Sequence, residues 1–332
     1  MRLVPTSLQM AVRPRLACEI APEAVFAALS AGQEAPLQMA TCVPLPEGAI
    51  VPGWKTPVLA ARGAVQSALE TALSGVMGRN KQLTLVLPDI CVRVLVLDFD
   101  TLPVRPQEAL PLVRFRLRKM LPFDADTAAV SYQVLKSNLG AEKAASLRVM
   151  VAAASAEVRE ELESLVREVG FEPGVLLPST AAALAAVPET GNHLLVHTGG
   201  RSVTTAITQA GDLLLYRTVG REGPETKEAA GAIAEDTAEA MPEQAPEAQE
   251  DDLVQAVLVA TAYYEDSLGA SPEQIWVAGH DTPDALQNRL SVGGRWQVPL
   301  RSLVQTEHFL AEARPTGPPA CGFAGVVGAL RG

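Results

Sequence analysis

Long apolar runs are missing from this chain of 332 residues. None approaches the ~20 residues that a membrane-spanning helix needs, and residues 1–16 mix Arg and Pro with apolar residues in place of a signal-peptide core. The expectation is a cytoplasmic protein with no transmembrane span. Aromatic residues are also scarce, at 4% of a composition that is 48% hydrophobic, so the core is expected to be built from Leu, Val and Ala. There are only four cysteines, Cys18, Cys42, Cys91 and Cys321. With no Cys-x-x-Cys pair, they argue against structural zinc and a secreted disulfide framework, and read as buried thiols. No Gly-x-Ser-x-Gly elbow, Walker loop or His-Glu-x-x-His occurs.

A basic surface is lacking as well. The net charge is −11, and most of it sits in one place: residues 222–252 hold eleven acids against one base, Lys227. The remaining 27 acids face 26 bases, so nothing supports a nucleic-acid face. The acidic segment contains Ala, Glu, Pro and Thr with almost no large apolar residue, and is expected to be a disordered loop or a loosely held helix.

What is present alternates strand-like and helix-like stretches, the pattern of a mixed α/β protein. Residues 16–29 suit two strands, or a strand and a short helix. Residues 83–89 and 92–98 are short β-rich runs with Pro88 and Asp89 between them. Residues 107–120 read as a helix with Leu110, Val113, Leu117 and Leu121 on one face. The Arg114, Arg116, Arg118 and Lys119 cluster reads either as a solvated helix face with stems over the core, or as a surface for acidic groups of a membrane or partner. A strand is expected at 147–154, then a helix capped by Ser155 with Val158, Leu162, Leu165, Val166 and Val169 buried. Residues 193–198, 202–208 and 213–219 read as a three-stranded meander with glycine turns. A helix over 253–268, a strand over 274–278, a helix over 284–290, a strand over 296–299 and a small-residue helix over 323–330 complete the chain.

His193 and His197 are four apart. In a strand they share a face at ~13 Å, too far for one metal, so no metal site is expected.

The order Leu-Val-Leu-Pro-Asp, Val-Arg-Val-Leu-Val-Leu-Asp, Leu121-Pro122-Phe123-Asp124 and Ser131-Tyr132-Gln133-Val134 resembles the PilM family, cytoplasmic actin-like proteins of type IV pilus assembly. The resemblance implies a two-lobed actin-like (ribonuclease-H-like) fold. Its first lobe would span 1–190, with a small inserted subdomain at about 83–146, and its second lobe 191–332, with the acidic loop at about 222–252. It also implies nucleotide loops. Where the family has Asp-Ile-Gly, this chain has Glu19-Ile20-Ala21-Pro22-Glu23. Its second loop is matched by Leu195-Val196-His197-Thr198-Gly199, and its Ser-Gly-Gly by Ala278-Gly279-His280. Gly199 and Gly279 are thus the remnant cofactor-binding positions. Pro22 removes an N–H, Ala21 adds a Cβ, and Glu23 sets a negative charge beside the polyphosphate. Like charges at ~4 Å repel by about 4 kcal/mol at an effective dielectric near 20, about a thousandfold in affinity. His197 replaces the acid that would hold Mg²⁺.

The expectation is a pseudo-ATPase scaffold beneath the inner membrane, with no catalytic residues. It would take the short cytoplasmic tail of an inner-membrane pilus assembly protein in a groove between the inserted subdomain and its parent lobe. The second reading is a working actin-fold ATPase or kinase relative that binds ATP and Mg²⁺. The third is a filament former, which requires a homo-oligomer.

Overall fold

The computed structural model describes residues 13–75, 81–135, 146–200, 202–220, 252–269, 271–291, 298–315 and 319–331. The acidic segment, apart from Asp252, lies outside the described residues.

The chain opens with strands β1 (Leu16–Ile20), β2 (Ala24–Ser30) and β3 (Leu37–Pro44), so the ambiguous 16–29 stretch is a hairpin, its two strands antiparallel. Helix α1 (Arg62–Ser74) follows, then β4 (Gln82–Leu87). The next elements are β5 (Arg93–Phe99), α2 (Pro106–Leu117), β6 (Ala129–Val134) and β7 (Leu147–Ala154). After them come α3 (Ala156–Glu168), β8 (Glu172–Pro178) and the short α4 (Ser179–Ala183). The remainder is β9 (Asn192–Gly199), β10 (Ser202–Gln209), β11 (Asp212–Gly220), α5 (Asp252–Leu268), β12 (Gln274–Gly279), α6 (Pro283–Ser291), β13 (Leu300–Ser302) and α7 (Ala324–Arg331).

Two five-stranded sheets repeat one plan. In the first, the order is β3-β2-β1-β4-β8, and in the second β11-β10-β9-β12-β13. Each is an antiparallel meander of three strands whose first strand then pairs in parallel with a later one, β1 with β4 and β9 with β12. The inner parallel strands β4 and β12 are buried almost end to end, because helices or the other layer cover both faces, whereas the edge strands β8 and β13 are not.

A third sheet, β5-β7-β6, has α2 packed on it and touches the second sheet, where Arg148 on β7 donates to the Leu214 carbonyl of β11 at 2.8 Å. Its extent corrects the 83–146 boundary. Strand β4 belongs to the parent sheet, between β1 and β8, while β7 belongs to the small one, so the insert covers 93–154. Two short β-rich runs joined by a Pro-Asp turn look like a hairpin from sequence. The continuous burial of residues 83–87 is what marks β4 as a central strand. The strand expected at 296–299 lies partly outside the described residues, and the edge strand found nearby is β13.

Helices α1 and α3 cover the outer face of the first sheet through Val65, Leu69, Val158, Leu162 and Leu165. Helices α5 and α6 cover the second through Val257, Tyr264 and Leu286. Between the sheets lie α4 and α7, whose Ala and Val side chains share one cluster with Ala17 and Val86 on one side and Leu195 and Ala278 on the other. Small residues there let two helices fit between two sheets. Cys18, Cys91 and Cys321 are buried, but Cys42 is half-buried.

Ser155 caps α3 by accepting from the Val158 N–H at 3.2 Å. Ser155→Ala is expected to cost about 1 kcal/mol, read as a lower urea midpoint at unchanged slope. Ser155→Asp should restore it, and an unchanged alanine variant would refute the cap's contribution.

Candidate functional site

The turns at the ends of β1, β4, β9 and β12 converge on one cleft between the two five-stranded sheets. Glu19, Glu23, Asp89, Ser179 and His197 line it together with both Gly199 and Gly279. The open space among these groups is about 20 Å³, room for about one water molecule.

Asp89 is the hub. It sits on a single 3₁₀ turn, Asp89–Cys91, where β4 leaves the parent sheet for the insert. Its Oδ1 accepts from the Thr180 N–H at 3.0 Å and the Tyr216 hydroxyl at 2.9 Å. Its Oδ2 accepts from the hydroxyls of Thr180 and, at 3.1 Å, Thr204. The His197 Nδ1 lies 3.6 Å away. Thr180 lies in the first turn of α4 in the first half, whereas His197, Thr204 and Tyr216 come from the second sheet. One buried carboxylate therefore joins the two halves. Burial holds His197 below its ordinary value against the pull of Asp89, and burial with the Asp89 charge raises Tyr216 well above its own. Both side chains are accordingly neutral at pH 7.

Glu19 lies deeper. Its Oε1 meets the Ser179 hydroxyl at 2.5 Å, and that hydroxyl also lies 3.0 Å from the Leu87 carbonyl. Ser179 has one proton and cannot donate to both. A protonated Glu19 resolves this by donating to Ser179, which then donates to Leu87. The electrostatics agree: burial pushes the Glu19 carboxyl up to about 8, with the Ser179 hydrogen bond opposing and the charges of Glu23 and Asp89 adding. A Cβ added at Gly325 would fall inside this carboxyl, so α7 needs glycine there.

Glu23 faces the turn after β9. The N–H groups of Glu23 itself and of Gly200 point at its carboxylate, and His280 Nδ1 is 3.8 Å away. Burial raises its pKa, while these donors and His280 oppose. The glycine turn therefore already has an acidic side chain in front of it, supplied by the chain. Gly279 is constrained by backbone instead. Its φ is +88°, and a Cβ would fall onto the Thr198 carbonyl oxygen. His193 points elsewhere, with Nε2 2.7 Å from the Thr190 carbonyl, and among the described residues no three His, Cys, Asp or Glu side chains are placed to share a metal ion.

No protein-family model matches the chain, and no curated protein matches its sequence. Among solved structures, a chain of a PilM–PilN type IV pilus biogenesis complex aligns with a TM-score of 0.65 and 19% identity, over 96% of this chain and 98% of that one. With its two like-built five-stranded sheets, the fold is actin-like. A Bacteroides thetaiotaomicron protein of actin-like ATPase fold and unknown function aligns at a TM-score of 0.46 and 10% identity, over 83% of this chain and 86% of that one. The cytoplasmic domain of EpsL, an inner membrane component of the type II secretion system of Vibrio cholerae, aligns at 0.46 and 8%, over 85% and 96%.

Sequence reasoning located Glu19, Glu23, His197, Gly199 and Gly279, and the tertiary structure brings all five to one cleft. It missed Asp89 and Tyr216. Asp89 read as a turn residue after Pro88, and the available signal was an acid just beyond the β-rich run of residues 83–87.

Proposed function

We propose that this chain is a non-hydrolysing scaffold of a type IV pilus or type II secretion-like assembly. It stands at the cytoplasmic side of the inner membrane and binds the short cytoplasmic tail of a membrane partner. Its likeness in fold to a chain of the PilM–PilN complex supports the assembly. Among the described residues no helix is long and apolar enough to cross a membrane, so a membrane-anchored partner would hold it there.

The observation that carries the pseudo-ATPase reading is the cleft itself. A triphosphate needs bare N–H groups, a cation-binding acid and several hundred Å³. Here Pro22 has no N–H, and the Gly200 N–H faces Glu23. Of the two buried acids of the cleft, Asp89 has its lone pairs taken by four donors, and Glu19 keeps its proton at pH 7 because burial pushes its carboxyl up to about 8. Glu23 thus acts less by distant repulsion than by competing for the same donor. The cleft residues do not suit ATP with Mg²⁺.

An extended tail gains affinity by backbone pairing at a sheet edge. Strand β6 offers one at the insert, being paired with β7 alone among the described residues. Isothermal titration of the full chain with Mg-ATP is expected to show no saturable heat at about 1 mM, a Kd weaker than about −4 kcal/mol of binding. A peptide copying the cytoplasmic tail of a neighbouring inner-membrane pilus protein is expected to bind in the micromolar range. Micromolar Mg-ATP binding would overturn the first half of the reading, and silence toward every tail peptide the second.

A further inference from the structure

Helix α2 is apolar on two sides. Ala109, Val113 and Leu117 are buried against the small sheet. On the opposite side Leu112 and Phe115 stand 46% and 71% exposed, and Val104, just ahead of the helix, is 92% exposed. At about 100° per residue, positions 108, 112, 115 and 119 form one line with 116 beside it. The ridge therefore ends in Arg116 and Lys119.

The charges around it are uneven. Residues 104–121 carry five bases and one acid in a chain of net charge −11. Glu108 pairs with Arg105 at 3.4 Å, and Asp126 with Arg118 at 3.0 Å. Arg114 donates to the Ala125 carbonyl. Arg116 lies over the Phe99 ring at 5.7 Å, and neither Arg116 nor Lys119 pairs with an acid among the described residues. Beside the ridge runs an open groove of about 240 Å³ lined by Leu110, Pro111, Arg114 and Arg118.

We propose that this ridge docks on an anionic phospholipid surface. Leu112, Phe115 and Val104 would enter the headgroup–acyl boundary, while Arg116 and Lys119 meet lipid phosphates. The shape favours lipid over protein. Three exposed apolar side chains fall short of the ~800 Å² that each partner of a stable protein interface buries, whereas a bilayer surface accepts a small apolar patch and rewards each cation next to it. The contact is independent of the tail-binding reading, and the flotation that tests it uses no partner.

The full-length chain is floated with vesicles of phosphatidylcholine alone and with vesicles containing phosphatidylglycerol. It is expected to float with the anionic vesicles only, and to be released by added salt. Arg116→Glu with Lys119→Glu should weaken partition at least about 25-fold, from about fivefold per cation removed. Leu112→Ser with Phe115→Ser should weaken it at least about tenfold. All four side chains are exposed, so the thermal melts of both variants should match the parent. Absence of the parent chain from the anionic vesicle fraction, equal flotation with neutral vesicles, or variants that float like the parent would each overturn the proposal. A chain that ignores vesicles, but whose Leu112→Ser, Phe115→Ser variant loses a tail peptide that the parent binds, would assign the ridge to protein instead.

Discussion

Replacing Asp89 with alanine is expected to destabilise the chain by about 4 kcal/mol, the scale for removing one member of a buried, hydrogen-bonded charge cluster. The carboxylate is 4% exposed, so water screens little of this. Its loss leaves the Thr180 N–H and three hydroxyls without their acceptor in a dry site, at about 1–3 kcal/mol each before relaxation. Asp89→Asn should cost roughly half as much, because one carbonyl oxygen remains and threonine hydroxyls can turn to accept. Since the donors come from both halves, the alanine variant should also loosen one half against the other. Faster amide exchange at Thr204 and Tyr216 than in the parent would report it. An alanine variant within 1 kcal/mol of the parent in urea, with unchanged exchange, would mean that this network does not join the halves.

The second large effect is a dependence of stability on pH through Glu19. Its carboxyl titrates at 4.5 when exposed and at about 8 when folded. Between those values the folded chain keeps a proton that the unfolded chain releases. The contribution is therefore fully present below pH 4.5 and lost as the pH climbs to about 8, at about 1.4 kcal/mol per unit. Glu19→Gln keeps the neutral, hydrogen-bonded form at every pH. The difference in stability between variant and parent should grow by roughly 5 kcal/mol from pH 4.5 to 8 and then level off. Taking the difference also cancels His197, whose lowered pKa acts oppositely: its contribution is lost as the pH falls below about 6.5. Parallel stability–pH curves for the two chains would show that Glu19 is ionised in the fold.

Much of the secondary structure could be read directly. The α3 stripe of Val158, Leu162, Leu165 and Val166 and its Ser155 cap are local patterns, spaced within a few residues, and both stand in the structure, with the expected Val169 only half-buried at the C-cap. The meander β9-β10-β11 was equally legible, because antiparallel neighbours joined by short turns keep their pairing local. The insert boundary was not, because β4 and β5 look alike as sequences and differ only in which strands lie beside them.

The altered loop chemistry at Ala21, Pro22, Glu23 and His197 is a property of side-chain types, and the sequence alone determined it, together with the alternation of strands and helices. Only the tertiary structure decided what those residues do. Asp89 finds Thr180, Thr204 and Tyr216 across separations of 91, 115 and 127 residues, and Glu19 finds Ser179 across 160. Periodicity and propensity act over a few residues, whereas burial and the pairing of charges depend on which distant strands become neighbours, and sheet topology sets that.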